Sequence, residues 1–196
     1  MTTHDDDAHP QRRYGGHGRL EDRLAGAEPA ECAVARWFEA HGRRVTVLAK
    51  TQPGQRGAPL LHGLDGSVAG PDLLLAHPRS HKATIVEVKS KSAASWHRFT
   101  GCWTSGISAE ELSRYQEAEA RAGLRCWLAF IQRGKGDRWV ANAPSPPSGL
   151  YLAPVAGLEV HANHTFGRDG WRMVYWRLDS APWCHLASLE DLGLVA

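Results

Sequence analysis

Residues 125–131 (RCWLAFI) are a nearly continuous apolar run, the pattern of a strand buried on both faces rather than one alternating between core and water. Directly before it, residues 108–122 repeat apolar positions at helical spacing and end at Gly123. A helix linked this closely to a buried strand is the mark of an α/β unit, and it commits the chain to a sheet with helices packed on it.

The helix is well bounded. Ser108 followed by Glu111 is a capping-box pair, and Leu112, Tyr115, Glu119 and Ala122 continue its spacing. An earlier helix is predicted from Glu28, with Pro29 in its first turn, Ala33, Val34, Trp37, Phe38 and His41 at helical spacing, and Gly42 as its stop. Between the two, residues 44–49 (RVTVLA) read as a strand and residues 52–70 as a long Gly/Pro-rich loop. Residues 72–76 (DLLLA) and 84–89 (TIVEVK) then read as a β-hairpin. The order is helix, three strands, helix, strand.

Beyond Asn142 come Pro144, Pro146 and Pro147, strand-like pieces at 150–154 and 171–178, and an amphipathic 188–194. Residues 1–26 are polar and Gly-rich and read as a flexible leader without chemistry. One domain of residues 27–196 is expected, since 196 residues suffice for a core without disulfides.

Charge and cysteine usage narrow the classes. A net charge of +2 is too small to advertise a nucleic-acid partner by itself, so any such partner must be argued locally. Cys32, Cys102, Cys126 and Cys184 lie far apart without a CxxC pair, which argues against a zinc ribbon or a disulfide framework. The sequence has neither the apolar core of a signal peptide nor a membrane-length apolar run, so a cytoplasmic protein without a membrane partner is the expectation.

The chemistry concentrates in TIVEVK. Residues two apart on a strand share a face, so Glu87 and Lys89 project together while Val86 and Val88 face away. Asp72 opens the preceding strand after Gly70 and Pro71, where an antiparallel hairpin brings it beside the end of the next strand. Two carboxylates and one ammonium suit a site for magnesium, a hard cation that prefers oxygen ligands, and the lysine can then assist a water or a strained phosphate.

Pro71-Asp72, fifteen positions, then Glu87-Val88-Lys89 resembles the PD-(D/E)xK signature of restriction endonucleases and archaeal-type Holliday-junction resolvases. The helix–strand order over about residues 28–131 is similar to that superfamily as well, leaving 142–196 as a strand-rich extension. The resemblance implies a restriction-endonuclease-like α/β fold, a central mixed sheet flanked by helices. It also implies a metal-dependent endonuclease that hydrolyses DNA phosphodiesters. Asp72, Glu87 and Lys89 would be catalytic; Asp72, Glu87, the Val88 carbonyl and Glu31 would hold Mg2+, with Mn2+ able to substitute. Glu31 and Gln116 would be auxiliary, although Tyr115 stands immediately before Gln116 where a strict QxxxY pattern is absent.

Other signals have competing explanations. Glu31 also suits a helix N-terminus on electrostatic grounds. Lys91, Lys82 and Arg98 are candidates for phosphate contacts, and Trp96, within SWHRFTGCWTS, for base stacking; the preferred reading of that stretch is a loop packing its aromatics on the core. His161, His164 and His185 lack ligand spacing on defined elements and read as surface histidines rather than a second metal site. The partner expected is DNA, with RNA as an alternative, and a homodimer is expected by analogy only. A resolvase-like repair, recombination or phage nuclease leads; a catalytically silent nucleic-acid-binding scaffold and a defence or toxin nuclease are the alternatives.

Overall fold

The computed structural model describes residues 20–48, 60–63, 66–80, 82–168 and 171–194. In chain order these form α1 (Leu20–Ala40), β1 (Arg44–Val47), β2 (Leu60–Gly63), β3 (Gly66–Ala69), β4 (Leu73–Ala76), β5 (Ala83–Lys91), β6 (Ser95–His97) and β7 (Cys102–Ser108). There follow α2 (Ala109–Ala122), β8 (Arg125–Arg133), β9 (Ser148–Pro154), a 3-10 turn (Leu158–His161), β10 (His164–Arg168), β11 (Trp171–Arg177) and β12 (Cys184–Ala187).

The central sheet runs β1-β4-β5-β8-β9-β12. It is mixed: β5 and β8 pair in parallel, and every other neighbour is antiparallel. Of the antiparallel pairs, β4 and β5 are joined by a short turn. The parallel pair requires a crossover, and here β6, β7 and α2 supply it. The α/β unit read from 108–131 is that crossover. Its capping box forms as expected, Glu111 N–H donating to Ser108 Oγ at 3.1 Å and Ser108 N–H to Glu111 Oε2 at 3.0 Å. Gly123 ends α2 in the left-handed conformation at φ 62°, where glycine has no Cβ to clash.

Each face of the sheet has its own core. On one side Val86 and Val88 of β5 meet Val34 and Phe38 of α1, with Leu73, Ile131 and Leu192. On the other, Ile85 joins Leu112 and Tyr115 of α2, Phe130, Trp176 and Trp183. A second, antiparallel sheet, β10-β11-β7-β6, closes this side. Its inner residues Ile107, Val174 and Trp176 are buried in the same cluster.

Three expectations are corrected. The first helix begins at Leu20, inside the segment read as a flexible leader, so Pro29 lies within the helix rather than in its first turn; the helix-favouring Leu, Glu, Arg and Ala of residues 20–28 outweigh the one hydrogen bond proline removes. Residues 1–19 lie outside the described residues. The loop expected over 52–70 contains the β2–β3 hairpin, with Gly63 opposite Gly66; the short apolar pieces Leu60-Leu61 and Val68-Ala69 pair across it, a strand signal that the Gly and Pro content around them obscures. The stretch 95–105, read as a loop, is the β6–β7 hairpin. No helix among the described residues is long and apolar enough to cross a membrane.

Candidate active site

Register places the three motif residues. Leu73 pairs with Val86 across β4 and β5, so the residue before Leu73 lies level with the residue after Val86, and Asp72 faces Glu87. The Val88 N–H donates to Asp72 Oδ2 at 2.7 Å, and the Asp72 carbonyl accepts from Leu48 N–H at 2.8 Å. Asp72 is therefore fixed by backbone on both sides. Two opposed carboxylates repel each other, and burial weakens their solvation. Burial first, then the Glu87 charge, push the Asp72 carboxyl up to about 8, and Glu31 adds to the effect.

Glu87 and Lys89 share the face of β5 turned toward α2, as alternation requires. Glu87 is buried at 7% exposure. Its Oε1 accepts from the Tyr115 hydroxyl at 2.8 Å and lies 2.8 Å from Lys89 Nζ. The ammonium reaches across to Glu111 Oε1 at 3.0 Å and lies 5.6 Å from the centroid of the Tyr115 ring. Burial works against the charged form of Lys89, but Glu87, Tyr115 and Glu111 overcome it and hold the amine above its usual range. Lys89 in turn outweighs burial at Glu111 and holds that carboxyl below its usual range. Burial and the neighbouring Glu87 charge raise the Tyr115 phenol well above normal, so it remains a donor.

Lys91 continues this face at the end of β5. Its Nζ lies 5.5 Å from the Phe130 ring centroid. Burial, reinforced by Lys89 and opposed by Glu111, lowers it to about 8. Gln132, its register partner on β8, is fully buried, and its amide has no hydrogen-bond partner among the described residues.

The other sequence candidates are placed as follows. Glu31 on α1 is close enough to raise Asp72. Gln116 is half-buried on α2 and makes no hydrogen bond to this cluster among the described residues. Trp96 packs edge-on against Trp103 with centroids 5.0 Å apart, which commits its ring to packing. Arg98 is exposed in the β6–β7 turn. Lys82 lines a groove with Phe38, Arg43 and Trp127 on the α1 side of the sheet, the opposite face from Lys89.

Glu111 and Tyr115 were read from sequence only as a cap and a spacing residue. Their separation of four, one helical turn, was the available signal that both face the same way. With Glu111 Oε2 on the Ser108 cap and Oε1 on Lys89, one carboxylate starts the helix and fixes the lysine.

Among the described residues no group of three or more His, Cys, Asp or Glu side chains has the spacing to hold a metal ion. The side chains that do converge, Asp72 and Glu87, offer oxygen atoms, the chemistry a hard cation requires. Burial is the main cause of the raised Asp72 carboxyl, with the Glu87 charge second, and the Val88 N–H and Lys89 offset only part of both.

No protein-family model matches this sequence, and no curated protein matches it. Among solved structures, the chain is similar to Hjc, a Holliday junction resolvase from the archaeal hyperthermophile Archaeoglobus fulgidus. The identity is 14% and the TM-score 0.42, over 74% of this chain and 85% of that one. A likeness of that size says nothing about what this chain does.

Proposed function

We propose that the chain is a metal-dependent endonuclease that hydrolyses DNA phosphodiester bonds, selecting branched or otherwise irregular DNA by its structure. The observation that carries this reading is the clamping of Lys89 Nζ between Glu87 and Glu111, beside a second buried carboxylate, Asp72, with a strongly raised pKa. Such a group is expensive as structure, because each charge is taken out of water. It suits phosphoryl chemistry, where an anion must be met by fixed positive charge and a water aligned for attack.

Asp72, Glu87 and the Val88 carbonyl, with Glu31 behind them, would hold Mg2+ or Mn2+, which supplies neutralisation of the phosphate and acidification of a bound water. Lys89 binds a non-bridging phosphate oxygen and stabilises the charge that grows there as water adds to phosphorus and the P–O bond to the leaving oxygen breaks. The Tyr115 hydroxyl holds Glu87 in one rotamer, and Glu111 holds Lys89. Lys91, on the same face of β5, and Arg98, exposed in the β6–β7 turn, are the cations we assign to flanking phosphates, and a second copy of the chain would allow both strands to be cut.

The test compares wild type with Asp72→Ala and Lys89→Ala on supercoiled, linear, single-stranded and four-way-junction DNA, with magnesium, manganese or EDTA. Metal-dependent cutting, strongest on the junction and lost in both variants, is expected. DNA binding by pure wild type without cutting in any metal would replace this reading with a silent binding scaffold. Cutting of RNA alone would favour the toxin or defence alternative.

A further inference from the structure

The outer face of the second sheet carries a different set of groups. Residues 95–108, 164–168 and 171–177, which make up its four strands and the β6–β7 turn, contain four arginines, two histidines and no aspartate or glutamate. On β11, Val174 and Trp176 point inward and are buried, so Trp171, Met173, Tyr175 and Arg177 point outward. Register sets His164 beside Tyr175, Phe166 beside Met173 and Arg168 beside Trp171.

These outward rings are already ordered. His164 stacks on Tyr175 with centroids 4.6 Å apart and planes 3° from parallel, and His97 stacks on His164 at 3.8 Å and 10°. The Asn163 Nδ2 lies 3.3 Å from His97 Nδ1 and 3.0 Å from His164 Nδ1. The one amide thus ties both imidazoles together at their Nδ1 edges. Gly106 lies beneath Tyr175; a Cβ there would clash with the Val174 carbonyl oxygen and approach the Tyr175 ring to 2.8 Å. Exposed rings continue the array: Phe99 is 97% exposed and 5.8 Å from His97, and Phe166 and Trp171, 56% and 58% exposed, meet edge-on at 6.2 Å. Burial would have hidden these rings had they served the core alone.

We propose that this face binds an unpaired nucleic-acid strand, its bases stacking on the ring array and its phosphates meeting Arg168 and Arg98. Parallel flat rings flanked by guanidinium groups accept any base, because every base has a π face, and the absence of carboxylates along the strands suits a polyanion. Asp179, just past β11, pairs with Arg177, and Asp137, whose charge after burial helps raise the Tyr175 phenol, is tied to the Trp96 N–H and Arg138; both stand outside the four strands. The face spans the seven residues of β11, about 20 Å at ~3.3 Å per residue, enough for a few nucleotides. It also leads to the candidate active site: Met173 pairs with Ser108, which caps α2 through Glu111, the partner of Lys89. This goes beyond the nuclease reading by assigning the unpaired segment of a substrate its own seat, and it stands whether or not the chain cuts.

The experiment is fluorescence anisotropy of the full chain with a short labelled oligothymidylate and a labelled duplex, in EDTA so that no cleavage occurs. Phe166→Ala, Trp171→Ala and Phe99→Ala alter exposed rings, with thermal melting as a check on folding. Each is expected to weaken oligothymidylate binding by roughly 5- to 100-fold, the usual cost of losing one base–ring stack, with the duplex changed far less. Single-strand affinity unchanged in all three variants, or lost in parallel with duplex affinity, would overturn the proposal. So would concentration-dependent self-association that the same substitutions abolish, because the face would then be a contact between copies of this chain.

Discussion

The two faces of β5 are built from alternate residues of one strand and obey different physics. Val86 and Val88 turn toward α1 into a core of hydrocarbon, where burial alone is favourable. Glu87, Lys89 and Lys91 turn toward α2, where each charge has lost water and must be met by another group. The first face stabilises the protein. The second is held together chiefly by one lysine and carries groups that cost stability, as sites kept for binding or chemistry do. Substitutions on the two faces should therefore separate folding from function.

The largest effect on stability is expected at Leu73, wholly buried against Val86. Leu73→Ala should cost about 2–5 kcal/mol in urea melts, while activity per folded molecule is retained. Lys89→Met comes next. It leaves Glu87 and Glu111 without their shared cation, and a loss of about 2 kcal/mol is expected, less than for a fully buried pair because Lys89 keeps some contact with water. Unlike Leu73→Ala, it should also abolish cutting. The smallest effect is a gain: Gln132→Leu removes a buried amide without hydrogen-bond partners among the described residues, and a stabilisation of about 1 kcal/mol is expected. A loss there would mean that the amide is satisfied by bound water.

The contrast between the faces was legible in the sequence because a period of two is local. TIVEVK announces one polar and one apolar face without reference to the rest of the chain, and Pro71-Asp72 with the following hairpin brings Asp72 to the polar one. Ser108 and Glu111 marked the start of α2 for the same reason. What lay beyond reach was tertiary. Nothing local distinguishes Tyr115 from Gln116 as the residue that meets Glu87, and that choice depends on how α2 rotates over the sheet. Likewise SWHRFTGCWTS mixes inward and outward rings: Trp96 and Trp103 pack together, while His97 joins His164, more than sixty residues away, a pairing that exists only once β10 and β11 are in place.

The most direct test is Asp72→Asn, followed by thermal melting and cleavage on the same preparation in metal-free and metal-loaded buffer. The folded protein binds the Asp72 proton up to about pH 8, while the unfolded chain releases it near 3.8. Asp72 thus costs nothing below the lower value, destabilises increasingly between the two, and exerts its full penalty above the upper one. Asparagine removes the charge, so the variant should melt higher than wild type in EDTA at pH 8, by at least about 1 kcal/mol, with little difference at pH 4, and should not cut DNA with any metal. A variant that melts lower at pH 8 and still cuts would contradict the claim that this face of β5 is kept for chemistry.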